Sequence, residues 1–386
     1  MIHRLNNLNT FAPTPLGVVN ILVAAGKIVA ISEQEIQIDS SLLASDNDFA
    51  GRRVVPGLID GHAHITGGGG EAGFKTKVPA VHLSQYTKAG VTSVVGLLGT
   101  DDTTRNTSSL IAQVYALREQ GISAWCYTGG YHIPLETLTD SVGKDIVHIE
   151  PIIGVGELAI SDHRSSQPTF DEVARIVGDV HVAGIMTGKA GIVHFHLGDG
   201  KRGLNLIEEL LNKTELPART LNPTHCNRRI PLFEQACELT KKGVSIDLTA
   251  FPDSDSDEEY SAYEAFKIYQ DKQFDPTKIT ISSDGGGCLP QFNSQGELVK
   301  LDYGRCSLLS DTLTKLLDAG IPLEQALLPF TKNVSDLLKL PYKGEIKVRN
   351  DADLVVLSED NRIESVMALG KWHQKDGKTL RFGSFE

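Results

Sequence analysis

From about residue 54 onward, short β-rich apolar runs alternate with longer stretches of helical periodicity, and this alternation narrows the fold more than any other feature of the sequence. The candidate strands span residues 54–59, 92–98, 124–128, 152–160, 192–197, 221–225, 244–249 and 279–283. Amphipathic stretches lie between them, such as 109–120, 170–182, 231–242 and 310–319. Several close on a glycine suited to ending a helix: Gly90, Gly121, Gly184, Gly243 and Gly320. Strands and helices alternating in this way predict an α/β chain built as a (β/α)8 TIM-like barrel. An open doubly wound sheet is disfavoured because no GxGxxG follows the first strand.

A barrel takes about 250 residues, whereas the chain has 386, so a second unit is expected. Both ends lack helix-length periodicity. ILVAAGKIVAI turns at Gly26–Lys27, and ADLVVL is followed by residues 365–369 and a turn at Gly370–Lys371. The simplest arrangement is a small β-sandwich domain formed by both termini, residues 1–53 with 341–386, around a barrel of residues 54–340. The acidic run 253–259 (DSDSDEE) reads as an exposed loop.

Five cysteines, odd in number and without a CxxC pair, argue against a disulfide framework and a cysteine zinc site. The N-terminus has no apolar signal region and no apolar run reaches membrane-span length, so a cytoplasmic chain with no membrane partner is expected. A net charge of −12 speaks against nucleic acid as a partner. Any acidic ligand must therefore be met by local Arg or Lys.

Barrel enzymes place their chemistry at the C-terminal ends of the strands. Those positions carry His62 and His64 (DGHAHI), Glu157, His196 (VHFHLGD), His225 (NPTHC) and Asp284 (SSDG). Residues two apart on a strand face the same side, so His62 and His64 can address one cation. Imidazole nitrogen and carboxylate oxygen suit zinc and related divalent ions.

PGLIDGHAHI, the strand-end histidines, SSDG and the closing DADLVVL resemble the amidohydrolase superfamily. GGGGEAG, VTSVVGLLGT, AISDHRSS, FHLGD, PTHCNRRIPLFEQA and KGEI are similar, more narrowly, to the isoaspartyl (β-aspartyl) dipeptidases. The resemblance implies a zinc metallo-dipeptidase with two Zn2+ per subunit, other divalent metals being possible. His62, His64 and Asp284 would hold the more buried ion, and His196 and His225 the other. In that family a carbamylated lysine usually bridges the pair; the matching residue here is Glu157, which supplies a carboxylate without carbon dioxide. Its side chain is three bonds shorter, so the backbone must come inward by roughly 3–4 Å, and Gly154-Val155-Gly156 has the freedom to allow it.

The implied reaction is attack of metal-activated hydroxide on an amide carbonyl. Asp284 would serve as general base and then acid, and Tyr131 as hydrogen-bond donor to the oxyanion. Glu71, Thr100, Arg164 and Arg228 map to substrate contacts: one carboxylate for an α-amino group and two guanidinium groups for two carboxylates. Cys288 stands where the family has serine, and a thiol is the poorer hydrogen-bond donor. His163 and Arg229 adjoin the proposed site without an assigned role. The partner is then a small dipeptide, and the resemblance suggests a homo-oligomer, an octamer. The alternatives are an amidohydrolase of another amide, such as a cyclic imide or N-acyl amino acid, and a non-catalytic, metal-free relative.

Overall fold

The structure, a computed structural model, describes residues 1–252, 258–292 and 298–386. Most of the expected acidic loop, residues 253–257, lies outside the described residues. Six parallel strands lie side by side: Leu58–Ala63, Val91–Gly96, Ser123–Thr128, Ile152–Ser161, Ile192–Leu197 and Leu221–Thr224. Ile246–Thr249 and Ile279–Ser282 form a further parallel pair. Cys226 N donates to Asp247 O (3.2 Å) and His64 N to Gly285 O (2.8 Å), which closes the eight strands into a (β/α)8 barrel.

Polar side chains reinforce the closure. Asp247 is buried and accepts from Thr224 Oγ1 (2.8 Å), Thr280 Oγ1 (2.6 Å) and Ser282 Oγ (2.6 Å), joining three strands. Asp60 accepts from Ser283 Oγ (2.5 Å) and Ser283 N (3.1 Å), joining the first strand to the last. Burial pushes the Asp60 carboxyl up to about 6, against the opposing pull of the Ser283 hydrogen bonds.

Both termini build a separate nine-stranded mixed sheet, the small β domain. Its core includes Leu5, Ile21, Val23 and Met367. Leu354 and Val356 face this core, whereas Val355 and Leu357 face the barrel. The period of two therefore puts apolar residues on both faces, which is why Leu354–Leu357 (LVVL) is apolar without a break.

Two expectations are corrected. The run 54–59 is two strands: Arg53–Pro56 belongs to the terminal sheet, and Leu58–Ala63 opens the barrel. The change comes at Gly57, where a Cβ would lie 2.1 Å from Thr92 Oγ1. Both halves are buried, so apolar pattern alone cannot reveal the switch. Gly184 also does not end its helix. Phe170–Thr187 runs on to Gly188 (φ 71°), and Gly184 instead lets the helix approach Gly191, whose Cα would lie 2.6 Å from an added Cβ. Gly121 ends its helix in the left-handed conformation as expected (φ 104°). All five cysteines are free. Among the described residues no helix is long and apolar enough to cross a membrane.

Candidate metal centre

The six candidate ligands, Glu157 from within its strand and the others at or just past strand ends, meet at the C-terminal mouth of the barrel, each no more than 5% exposed. Glu157 lies at their centre. Its Oε1 faces His62 Nε2 (3.8 Å) and His64 Nε2 (3.4 Å), while Oε2 faces His196 Nδ1 (2.9 Å) and His225 Nε2 (3.3 Å). Asp284 Oδ1 stands 3.4 Å from His62 Nε2 and 3.1 Å from His64 Nε2.

A β-bulge aims Glu157 inward. Between Val193↔Val155 and Phe195↔Leu158, the Ile152–Ser161 strand spends one residue more than its neighbour. Glycines clear the space: a Cβ on Gly156 would lie 2.8 Å from His194 Cβ, and one on Gly99 2.5 Å from His64 Cε1.

Hydrogen bonds beneath the site orient the imidazoles. Asn222 Nδ2 donates to Ser245 O (2.7 Å), so its Oδ1 accepts from His194 Nδ1 (2.6 Å). His194 Nε2 must then accept from His62 Nδ1 (2.9 Å), which turns the His62 Nε2 lone pair into the site. His225 Nδ1 pairs with Thr249 Oγ1 (2.6 Å), leaving Nε2 to face Glu157. His196 Nε2 pairs with Asp162 Oδ2 (2.9 Å). Burial holds His194 down at about 3, neutral as this chain of bonds requires.

The residues fit divalent cations. Among the described residues, His62 Nε2 and Asp284 Oδ1 are buried with no hydrogen-bond partner, although both point into the cluster. Burial works against charge on Glu157 and Asp284, yet the surrounding imidazoles hold both carboxyls below their usual range. His64 is raised to about 10 because Asp284 and Glu157 outweigh its own burial. Such a field attracts cations. His62–His64–Asp284 and His62–Glu157–His225 each bring their ligand atoms within 4.8 Å of one another.

Above the cluster a small cavity is lined by Glu71, Thr100, Tyr131, Arg164, Arg228 and Cys288 together with His64, Glu157, His196, His225 and Asp284. Tyr131 OH lies 2.8 Å from His196 Nδ1, and burial raises its phenol well above the ordinary value, so it stays protonated. Arg164 Nη1 donates to Glu71 Oε1 (3.3 Å). Burial, then Glu71, pushes the Cys288 thiol up to about 12, so it is no thiolate nucleophile near neutral pH. His163 faces Asp199 (3.1 Å), and Arg229 Nη2 donates to Gly200 O (2.9 Å). A larger cavity of about 450 Å³, lined by Lys75, Val81 and Arg305 among others, contains none of the clustered carboxylates and imidazoles.

Sequence reasoning overlooked Asp60, His194, Asn222, Asp162 and Arg105. The alternation His194-x-His196 was a legible sign, since both side chains must share a face. Arg105 binds the glycine loop that carries Glu71, donating to Thr66 O (3.3 Å), Gly68 O (3.1 Å) and Val78 O (3.1 Å).

Residues 53–373 match the Amidohydrolase family. The fold superposes on the β-aspartyl dipeptidase of Fervidobacterium islandicum AW-1 in complex with β-Asp-Leu dipeptide, with a TM-score of 0.91, 41% identity and 98% of both chains covered. A second structure of that enzyme gives 0.88 and 40% identity over 98% of both chains. The dihydropyrimidinase of Brevibacillus agri NCHU1002 shares the fold at 17% identity and a TM-score of 0.67, over 99% of this chain and 97% of that one. Among curated relatives, the imidazolonepropionase of Ruegeria pomeroyi is 28% identical over 134 residues, a match spanning only 33% of either chain. The chain therefore belongs to the amidohydrolase family, shares the β-aspartyl dipeptidase fold within it, and is a metal-dependent hydrolase.

Proposed function

We propose that this protein is a cytoplasmic dipeptidase that hydrolyses β-aspartyl (isoaspartyl) dipeptides at a centre of two divalent metal ions, zinc being the expected metal. The observation that carries the reading is Glu71, Arg164 and Arg228 lining the same cavity as the metal-ligand cluster. A β-aspartyl dipeptide has one ammonium and two carboxylates, and these three side chains complement them one for one. A neutral cyclic imide offers them no such partners. β-Asp-Leu, which is bound in the F. islandicum enzyme, has this charge pattern.

His62, His64 and Asp284 would hold one ion and His196 and His225 the other, with Glu157 shared between them. Bound there, divalent ions supply Lewis acidity that polarises a carbonyl and brings the pKa of water toward neutrality. The remaining work falls to the chain. Glu71 receives the α-amino group, and Arg164 and Arg228 orient the carboxylates through paired N–H donors. Thr100 and Cys288 line the same cavity. Tyr131 donates a hydrogen bond to the carbonyl oxygen as negative charge develops on it. Asp284 accepts the proton of the attacking water on its carboxylate and returns it to the departing amine. The family resemblance also implies a homo-oligomer, and the exposed Val182, Ile185 and Met186 of Phe170–Thr187 offer it an apolar face.

The test pairs metal analysis with hydrolysis of β-Asp-Leu against α-Asp-Leu. Two metals per chain and strong preference for the β-linkage are expected. Equal rates on both dipeptides, or inactivity toward β-Asp-Leu in a zinc-loaded sample, would overturn the reading.

A further inference from the structure

Asp162 directly follows the Ile152–Ser161 strand, is 3% exposed, and does not line the cavity. Its carboxylate nevertheless touches both halves of the site. Oδ2 accepts from His196 Nε2 (2.9 Å) and from Arg164 Nη2 (2.7 Å). Oδ1 accepts from Arg164 Nε (3.0 Å) and from the Arg164 backbone N (2.8 Å).

We infer that Asp162 is a positioning residue that ties the His196 side of the metal centre to the Arg164 side of the substrate pocket through one shared carboxylate. The Arg164 part rests on the dipeptidase reading. On the metal side, a carboxylate accepting at Nε2 places the imidazole proton there, so the Nδ1 lone pair points at Glu157 and the centre. On the substrate side, the paired bonds to Nε and Nη2 fix the guanidinium plane and direct the Nη1 edge toward Glu71 and the cavity. Neither residue can rotate without breaking a charge-assisted bond to the same anion.

The chain also clears a seat for this carboxylate. A Cβ on Gly198 would lie 2.0 Å from Asp162 Oδ2 and 2.6 Å from its Cγ. Gly198 is outside the left-handed region, so its missing side chain serves space rather than backbone conformation.

Two variants test the link in the full-length enzyme. Asp162→Asn keeps the shape and removes the charge; Gly198→Ala keeps the charge and displaces it. Each is titrated with zinc against a competing chelator, loaded with cobalt(II) for its absorption spectrum, and assayed with β-Asp-Leu. In both variants one of two metals is expected to weaken by about 10- to 100-fold, with a changed cobalt spectrum and a raised KM. A merely structural role would lower the melting temperature without selecting one metal. Should Asp162→Asn fail to fold, Gly198→Ala carries the same expectation. Metal affinity or KM within twofold of wild type in the folded variants would break the link. A wild type inactive on β-Asp-Leu would defeat the dipeptide reading alone; the selective metal loss and the cobalt spectrum would still decide the role of Asp162.

Discussion

Glu157 has the most neighbours to satisfy of any side chain in the centre, since its two oxygens face different histidine pairs. Glutamine has the same shape but no charge, and it offers one acceptor where the cluster uses two. Glu157→Gln is therefore expected to retain at most one tightly bound metal. Its turnover should fall by about 100-fold or more, as when a preorganised electrostatic group is removed from an active site. Metal counting and steady-state kinetics check this; two metals with full turnover would remove Glu157 from the mechanism. Five of the six ligand candidates were legible as metal-competent residues at or near a strand end, and Glu157, within its strand, by its spacing from SDHRSS. The residues behind them were not. A buried Asp162 or Asn222 looks like any polar residue beside a strand until the barrel decides what it meets.

At the scale of elements, the glycine loop matters most. Gly67 (φ 77°), Gly69 (φ 73°) and Gly70 (φ 113°) adopt left-handed backbone that a Cβ would disfavour. At Gly67 a side chain would also strike Val78 O at 2.0 Å. This path brings Glu71 over the centre, and Arg105 holds it by three backbone carbonyls while paired to Asp101 (2.7 Å). Arg105→Ala should loosen the loop without touching the cluster. We expect KM for β-Asp-Leu to rise by about tenfold, or about 1.4 kcal/mol, with kcat changed far less. An unchanged KM would show that the loop holds its shape alone. The GGGG run was readable as a flexible loop near the site. Arg105, about 35 residues away, gave no such sign.

At the scale of the molecule, the terminal sheet meets the barrel through strands apolar on both faces, and a buried cation ties its two chain ends together. Lys343 follows the Lys332–Leu338 helix and pairs with Asp353 (2.6 Å) and Asp351 (2.9 Å), its side chain 2% exposed. Asp351 also binds Lys27 of the N-terminal segment (2.7 Å). Removing one partner of a buried ion pair costs about 3–5 kcal/mol, and without Lys343 the carboxylate of Asp353 would stay buried without its cation while Asp351 keeps Lys27. Lys343→Ala should lose that much stability, read as a lower urea midpoint. A loss below about 1 kcal/mol would show that water replaces the ammonium at little cost.

By itself the sequence determined the alternation that makes a barrel, the joining of both termini in a second sheet, and a set of candidate metal-ligating residues. Those properties are local: periodicity, turn residues and side-chain chemistry are present in the chain before it folds. Only the tertiary structure decided that one apolar run changes sheets at Gly57, that a bulge turns Glu157 inward, and which nitrogen of each histidine faces the centre. Each of these depends on a neighbour far along the chain. His62 meets His194, and His196 meets both Glu157 and Asp162, only once the barrel has closed.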